Sequence, residues 1–130
     1  MSLIFDTSVL IDIEKRSDHI ISKLQELSRL YPGQGQITFM SYFEFIFGLN
    51  EKSPKNKEKA IQFIHYFECI QTTPITAEIL SDLKHKYEKR GMMFTLSDLF
   101  IAAQVIENKG ILVTRDKQFN GIEELKKIIL

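Results

Sequence analysis

The sequence predicts an α/β fold in which a central, mostly parallel sheet carries helices on both faces. Short apolar runs such as Leu3-Ile4-Phe5 and Ile111-Leu112-Val113 are too short for a core helix and are typical of buried strands. Between them lie longer segments with apolar residues at helical spacing. Strands that alternate with helices form parallel sheets covered on both faces. With 130 residues, no repeat and no linker, we expect one domain over residues 1–130.

The first half of the chain is predicted to hold two strands and four helices. The strands lie at 3–5 and 36–39, and the helices begin at Asp6 or Thr7, span 17–30 and 41–49, and start again at Pro54. A Pro and Gly-rich turn at 31–35 separates the second helix from the second strand. Because the segment 41–49 is apolar nearly all round, we expect this helix to be buried.

The second half repeats the pattern of strand and helix. We predict a strand at 69–72, helices at 76–90 and 97–108 that end before Gly91 and Gly110, and a strand at 111–114. A short helix near 122–125 and an edge strand at 128–129 complete the prediction.

Four acidic residues lie against apolar stretches of the sequence: Asp6, Glu44, Asp98 and Asp116. An isolated buried carboxylate costs several kcal/mol, so it is normally protonated, paired or bound to a metal. Asp6 directly follows one predicted strand, and Asp116 follows another by two residues. Ligands bind outside the carboxyl ends of parallel strands, so we expect the four acids to share one cation-binding pocket.

Each acid also has a purely structural interpretation. Asp6 is a possible helix N-cap, and Asp116 a possible turn aspartate. Asp98 fits a capping box that begins at Thr95. Glu44 is compatible with a narrow solvated stripe on its helix. These alternatives stay open for single residues, but one shared site accounts for all four together.

The residue types favour a hard divalent cation over zinc. Carboxylate oxygens suit Mg²⁺ or Mn²⁺, whereas zinc prefers nitrogen and sulfur. The three histidines have no metal-ligand spacing, and the single cysteine, Cys69, excludes an internal disulfide and a multi-cysteine zinc site. We expect Cys69 to be a buried thiol.

The charge balance excludes a strong global attraction to polyanions. The chain has 17 basic and 17 acidic residues, so any nucleic-acid contact must come from a local patch. Basic residues cluster at 52–59 and 84–90. No apolar run approaches the roughly 20 residues of a membrane span, and the N-terminus has no basic region typical of a signal peptide. We therefore expect a cytoplasmic protein with no membrane contact.

Four sequence blocks, at 4–11, 41–49, 97–103 and 112–119, together resemble the PIN-domain family and, within it, the small VapC-type toxins of prokaryotic toxin–antitoxin pairs. The resemblance covers essentially the whole chain. It implies a three-layer PIN-like fold and a ribonuclease that depends on Mg²⁺ or Mn²⁺. It also implies a homodimer that is inhibited by a small antitoxin, and catalytic acids equivalent to Asp6, Glu44, Asp98 and Asp116.

The resemblance also suggests a role for each site residue. Asp6, Asp98 and Asp116 are expected to hold one or two metal ions, and Glu44 to orient a metal-bound water or accept its proton. The hydroxyl of Thr114 is expected near the site. Candidate contacts to the RNA substrate are Thr114, Arg115, Lys117 and the basic segment 84–90.

Dimer and antitoxin contacts are predicted on two apolar helices, one at 20–30 and one that includes Ile61, Phe63, Ile64 and Phe67. Three other functions remain open at this point. One is a phosphotransfer enzyme with Asp6 as nucleophile, although haloacid-dehalogenase-like phosphatases need a second Asp where Ser8 stands. The others are a PIN nuclease of RNA processing that is not a toxin, and an inactive PIN-like module that binds RNA or protein.

Overall fold

Five parallel strands form the centre of the structure, a computed structural model that describes all residues 1–130. The strands are β1 (Leu3–Phe5), β2 (Gln36–Ile37), β3 (Glu68–Cys69), β4 (Ile111–Thr114) and β5 (Lys127–Ile129). Their order in the sheet is β3-β2-β1-β4-β5, with β1 in the middle. Phe5 lies opposite both Ile37 and Val113, so the carboxyl ends of three strands meet at one edge.

Six α-helices connect the strands and cover the sheet. They are α1 (Thr7–Glu14), α2 (Asp18–Leu30), α3 (Phe39–Gly48), α4 (Pro54–Ile64), α5 (Pro74–Lys89) and α6 (Leu96–Glu107). Two short 3₁₀ helices follow α3 at Leu49–Glu51 and β4 at Lys117–Gly121. None of the helices has both the length and the apolar character needed to cross a membrane.

The core lies in two layers, one on each side of the sheet. Successive side chains of a strand point to opposite faces. Ile4 and Leu112 therefore join the cluster formed with α5 and α6, whereas Phe5 and Val113 join the cluster formed with α1 to α4. This arrangement confirms the predicted three-layer α/β fold.

The helix α3 differs from the prediction in its start and in its burial. The side chain of Thr38 accepts a hydrogen bond from Ser41 N at 3.1 Å, so Thr38 is an N-cap and the preceding strand is only two residues long. Phe39, Phe43 and Phe47 are 50%, 51% and 65% exposed. The prediction of a buried helix was wrong, because no other element covers the outer face of α3 and these three side chains stay at least half exposed.

Three further predictions were wrong in detail. Residues 122–125 form no helix, because the Asp116 side chain accepts from Gln118 N and starts the 3₁₀ helix at Lys117–Gly121 instead. The predicted strand at 69–72 is the edge strand β3, which ends at Cys69. At that edge Cys69 is exposed, not buried.

The apolar residues of α2 and α4 serve mainly the core. Ile20 and Ile64 are buried, and Ile61, Phe63 and Phe67 are half-buried against the same cluster. Only Leu30, at the end of α2, is largely exposed. The surplus apolar surface that the sequence suggested for these two helices is therefore found on α3.

Candidate active site

Strand pairing places the two aspartates that follow β1 and β4 at the same edge of the sheet. Asp6 N extends the ladder with a 3.0 Å hydrogen bond to Val113 O, and Asp116 lies two residues beyond the end of β4. Glu44 comes to this edge from the middle of α3, and Asp98 from the first turn of α6. The structure thus brings together the four acids that the sequence selected.

Asp6 occupies the N-cap position of α1, but its carboxylate does not cap the helix. The side chain is only 7% exposed. Its Oδ2 accepts from Thr114 Oγ1 at 2.7 Å and from Ser8 Oγ at 3.4 Å, and its Oδ1 accepts from Ser41 Oγ at 3.4 Å. The capping interpretation of Asp6 is therefore wrong, and three hydroxyls from three elements orient the carboxylate.

Backbone amides fix the direction of two of these hydroxyl groups. Thr114 Oγ1 accepts from Asp116 N at 3.0 Å, and Ser8 Oγ accepts from Arg115 N at 3.2 Å. Each oxygen then donates its own proton to Asp6. The turn after β4 and the first turn of α1 hold one acid between them.

The carboxylates influence one another electrostatically. Burial raises the pKa of Asp6, hydrogen bonds from Thr114, Thr7 and Ser8 oppose the rise, and the charge of Asp116 adds to it. Burial likewise raises the pKa of Glu44, with further contributions from the charges of Asp6 and Asp98. The pKa of Asp98 is raised by burial and by the charges of Asp116 and Asp6. Mutual repulsion of this kind favours the entry of a cation.

The nearby basic side chains do not neutralise the cluster. Arg115 Nη1 forms a 2.7 Å ion pair with Asp12, whose side chain is 16% exposed. Lys52 pairs with Glu14 at 3.4 Å, and Lys117 is exposed and forms no ion pair. Asp6, Glu44 and Asp98 therefore have no counter-ion among the ion pairs of the chain.

The donor set suits Mg²⁺ or Mn²⁺. All four acids offer hard oxygen ligands, and no histidine or cysteine accompanies them. The structure contains no group of three acidic, histidine or cysteine side chains arranged closely enough to hold a metal ion by themselves. Mg²⁺ usually keeps several waters and takes only one or two carboxylates from the protein, so it does not need such a closed cage.

Two acids of the cluster, Asp98 and Asp116, also take part in local structure. Thr95 caps α6 by accepting from Asp98 N at 3.1 Å, which is one of the two hydrogen bonds of the predicted capping box. Asp116 caps the 3₁₀ helix that follows it. Thr114 is fully buried with its hydroxyl on Asp6, so in this structure it supports the acid and does not face a substrate. Arg115 and Lys117 are exposed, and their RNA contacts stay predictions.

Three hydroxyl residues of the site were missed at the sequence level. Ser8 and Ser41 donate to Asp6, and Thr7 donates to Glu44 Oε1 at 3.2 Å. A signal for them was present, because Thr7 and Ser8 directly follow Asp6 and Ser41 precedes Glu44 by one helical turn.

Residues 3–125 match the PIN domain family. The chain belongs to the PIN-domain family. It is 31% identical over 127 residues to ribonuclease VapC1 of Methanocaldococcus jannaschii, a match that covers 94% of this chain and 82% of that protein.

Solved structures with similar folds include two that are named VapBC. The VapBC2 complex of Rickettsia felis, bound to a DNA fragment from its promoter, matches with a TM-score of 0.88 and 21% identity, over 100% of this chain and 99% of that chain. VapBC-1 of nontypeable Haemophilus influenzae matches with a TM-score of 0.83 and 18% identity, over 99% and 98%. At these identities the likeness shows the fold.

Proposed function

We propose that this chain is a Mg²⁺- or Mn²⁺-dependent endoribonuclease that acts as the toxin of a toxin–antitoxin pair. The observation that carries the proposal is the cluster of Asp6, Glu44, Asp98 and Asp116 at the carboxyl edge of the sheet, which no basic side chain neutralises. Membership of the PIN-domain family and the similarity to a ribonuclease support it.

The proposed mechanism assigns two tasks to the four acids. Asp6, Asp98 and Asp116 would hold the metal, and the hydroxyls of Ser8, Ser41 and Thr114 keep Asp6 in one orientation. A bound divalent metal supplies an activated water and stabilises charge on the reacting phosphodiester. Glu44 would take up the proton that the attacking water loses, because burial and the charges of Asp6 and Asp98 raise its pKa and so make it a stronger base.

Cleavage of RNA by the purified protein tests this function. With Mg²⁺ or Mn²⁺ present, we expect endonucleolytic products, and we expect EDTA or the Asp6→Asn substitution to abolish them. Cleavage that continues in EDTA would contradict the metal mechanism. RNA binding without cleavage under all metal conditions would instead favour an inactive binding module.

An antitoxin segment is proposed to bind a groove between α1, α2 and α4. The open groove has a volume of about 640 Å³ and combines apolar side chains with three basic ones, Arg16, Lys52 and Lys59, of which Lys52 pairs with Glu14 in the same groove. This lining fits a peptide helix with an apolar face and acidic flanks. Lys59→Glu should weaken a pull-down of the cognate antitoxin without changing RNA cleavage by the free protein. An unchanged complex would place the antitoxin elsewhere.

Homodimerisation is proposed through α3, not through α2 and α4. Phe43 and Phe47 stack at 5.8 Å on the exposed face of α3, and Phe39 stacks on Phe100 of α6 at 6.3 Å. Leu96, one turn before Phe100, is 57% exposed and extends this surface. The side chains of the patch are uncharged and the whole chain is neutral, so no net charge opposes the association of two copies.

A further inference from the structure

Gln104 is a fully buried amide in the middle of α6. A buried amide is costly unless it is hydrogen-bonded, and both ends of this one are. Its Oε1 accepts from Phe39 N at 2.8 Å, and its Nε2 donates to Ile70 O at 3.2 Å.

Both partners of Gln104 are backbone groups at the ends of other elements. Phe39 is the first residue of α3, where the amide of a helix has no acceptor within the helix. Ile70 follows β3 directly. One side chain of α6 therefore provides the hydrogen-bond acceptor for the first amide of α3 and the donor for the carbonyl group that follows the edge strand β3.

Two site acids lie on the helices that this amide joins. Glu44 is five residues after Phe39 on α3, and Asp98 is six residues before Gln104 on α6. Both separations are within about 10 Å along a rigid helix, at 1.5 Å per residue. We propose that Gln104 is a positioning residue, whose hydrogen bond to Phe39 N sets the placement of Glu44 relative to Asp98.

Apart from a hydrogen bond of Ser97 to Glu44, the other contacts between α3 and α6 are apolar and less directional. Phe39 stacks on Phe100, and Met40 packs against the cluster that includes α6. Apolar contacts of this kind allow sliding and rotation, whereas a hydrogen bond at 2.8 Å is sensitive to both. Ser97, in the first turn of α6, is near enough to Glu44 to lower its pKa by hydrogen bonding, which shows that the two helices meet at the site.

A double-mutant cycle on stability in EDTA tests the proposal without relying on nuclease activity. Glu44→Gln removes one like charge from the metal-free cluster and should raise the melting temperature of the otherwise wild-type protein. Gln104→Met keeps a side chain of similar length but removes both hydrogen bonds. In that background we expect the part of the gain that comes from Asp98 to be lost, because Glu44 is no longer held against Asp98, whereas Thr7 still holds it near Asp6.

Val105→Ala is the matched control, since Val105 is also fully buried on α6 but belongs to the cluster around α5. In this background Glu44→Gln should keep its full gain. Equal gains in the Gln104→Met and wild-type backgrounds would overturn the proposal, because distant sites that act independently are additive. Absence of any gain in wild type would overturn it as well.

Hydrogen exchange of the Phe39 amide keeps the proposal testable if Gln104→Met does not fold. In wild type this amide should exchange as slowly as the amides of central α6, and fast exchange would contradict the proposal. The inference rests on the proposed function only for the tasks of Glu44 and Asp98. An inactive protein with a coupled cycle would therefore refute the nuclease while leaving the positioning role intact.

Discussion

Asp6 shows how a single buried carboxylate is kept in place without a basic partner. Three hydroxyl groups donate to it, and two of them are aimed by backbone amides. These hydrogen bonds favour the ionised form, whereas burial and Asp116 disfavour it. Because the pKa of Asp6 stays raised overall, the hydrogen bonds from the hydroxyls do not fully offset the effects of burial and of Asp116. In the folded protein without metal, the ionised form of Asp6 is therefore destabilised.

Substitution of Asp98 separates a site acid from a helix cap. Asp98→Asn keeps the N3 position of α6 filled but removes one charge from the cluster. We expect the variant to melt at a higher temperature than wild type in EDTA and to gain little from Mg²⁺, which should stabilise wild type by RT ln(1 + [L]/Kd). Thermal melts of both proteins in both conditions make the comparison.

The exposed Asp82 on α5 provides the control for this substitution. Asp82→Asn should leave both melts close to those of wild type. An Asp98→Asn variant that is no more stable in EDTA, yet gains as much as wild type from Mg²⁺, would return Asp98 to the role of a cap.

Removal of the Thr114 hydroxyl should destabilise the protein even though its shape is kept. Thr114→Val leaves Asp6 without its shortest hydrogen bond and Asp116 N without its acceptor. Asp6 keeps two other hydroxyl donors and Asp116 is only half-buried, so we expect a loss of about 1–3 kcal/mol in urea unfolding, the cost of one unsatisfied buried group. Thr114→Ser retains the hydroxyl and should lose less. A serine variant as unstable as the valine variant would assign the effect to packing.

At the level of elements, the sequence predicted the strands and helices well wherever periodicity and end signals agreed. The strand Ile111–Thr114 has the predicted bounds, and α2 ends at Leu30 as predicted but starts one residue later, at Asp18. The errors share a cause, which is that local hydrophobicity does not reveal what an element packs against. The burial of α3 was misjudged because its phenylalanines lie on two faces, of which the chain covers only one.

The residues of the site were likewise predicted only where the local sequence carried a distinctive signal. Acids were recognisable because a charge beside apolar residues is unusual, and strand ends converge in any parallel sheet. The supporting hydroxyls of Thr7, Ser8 and Ser41 were not recognised as parts of the site. Serine and threonine are common at helix starts, because their side chains form hydrogen bonds with the nearby backbone. Gln104 gave no signal at all, since its partners are backbone atoms on two elements distant in sequence.

The exposed face of α3 should decide the oligomeric state. Phe47→Glu places a charge on the stacked pair of phenylalanines and should convert a dimer to a monomer at tens of micromolar protein, the range of weak association. Leu30→Glu, on the helix that the sequence favoured, should leave the dimer intact. Light scattering measures both. A wild-type protein that is monomeric at these concentrations would contradict the proposed dimer.

For the molecule as a whole, stability should depend on pH in a direction set by the carboxylate cluster. The chain has no net charge near neutrality, so general repulsion contributes little and local groups dominate. The pKa values of Asp6, Glu44 and Asp98 are raised from ordinary values of 3.8 or 4.5. The folded state then binds protons more tightly than the unfolded state, and this contribution to stability is lost as pH rises through the raised values.

We therefore expect the melting temperature in EDTA to rise as pH is lowered from neutrality towards the ordinary carboxylate value of 4.5. Hydrogen bonds from Arg90 and Lys86 lower the pKa of Glu123, so its contribution has the opposite sign. It is lost only as pH falls below the ordinary value of 4.5, outside this range. Saturating Mg²⁺ should flatten or reverse the slope, because the metal binds the ionised carboxylates and protons compete with it. Melts that show the same pH slope with EDTA and with Mg²⁺ would refute a metal site built from these acids.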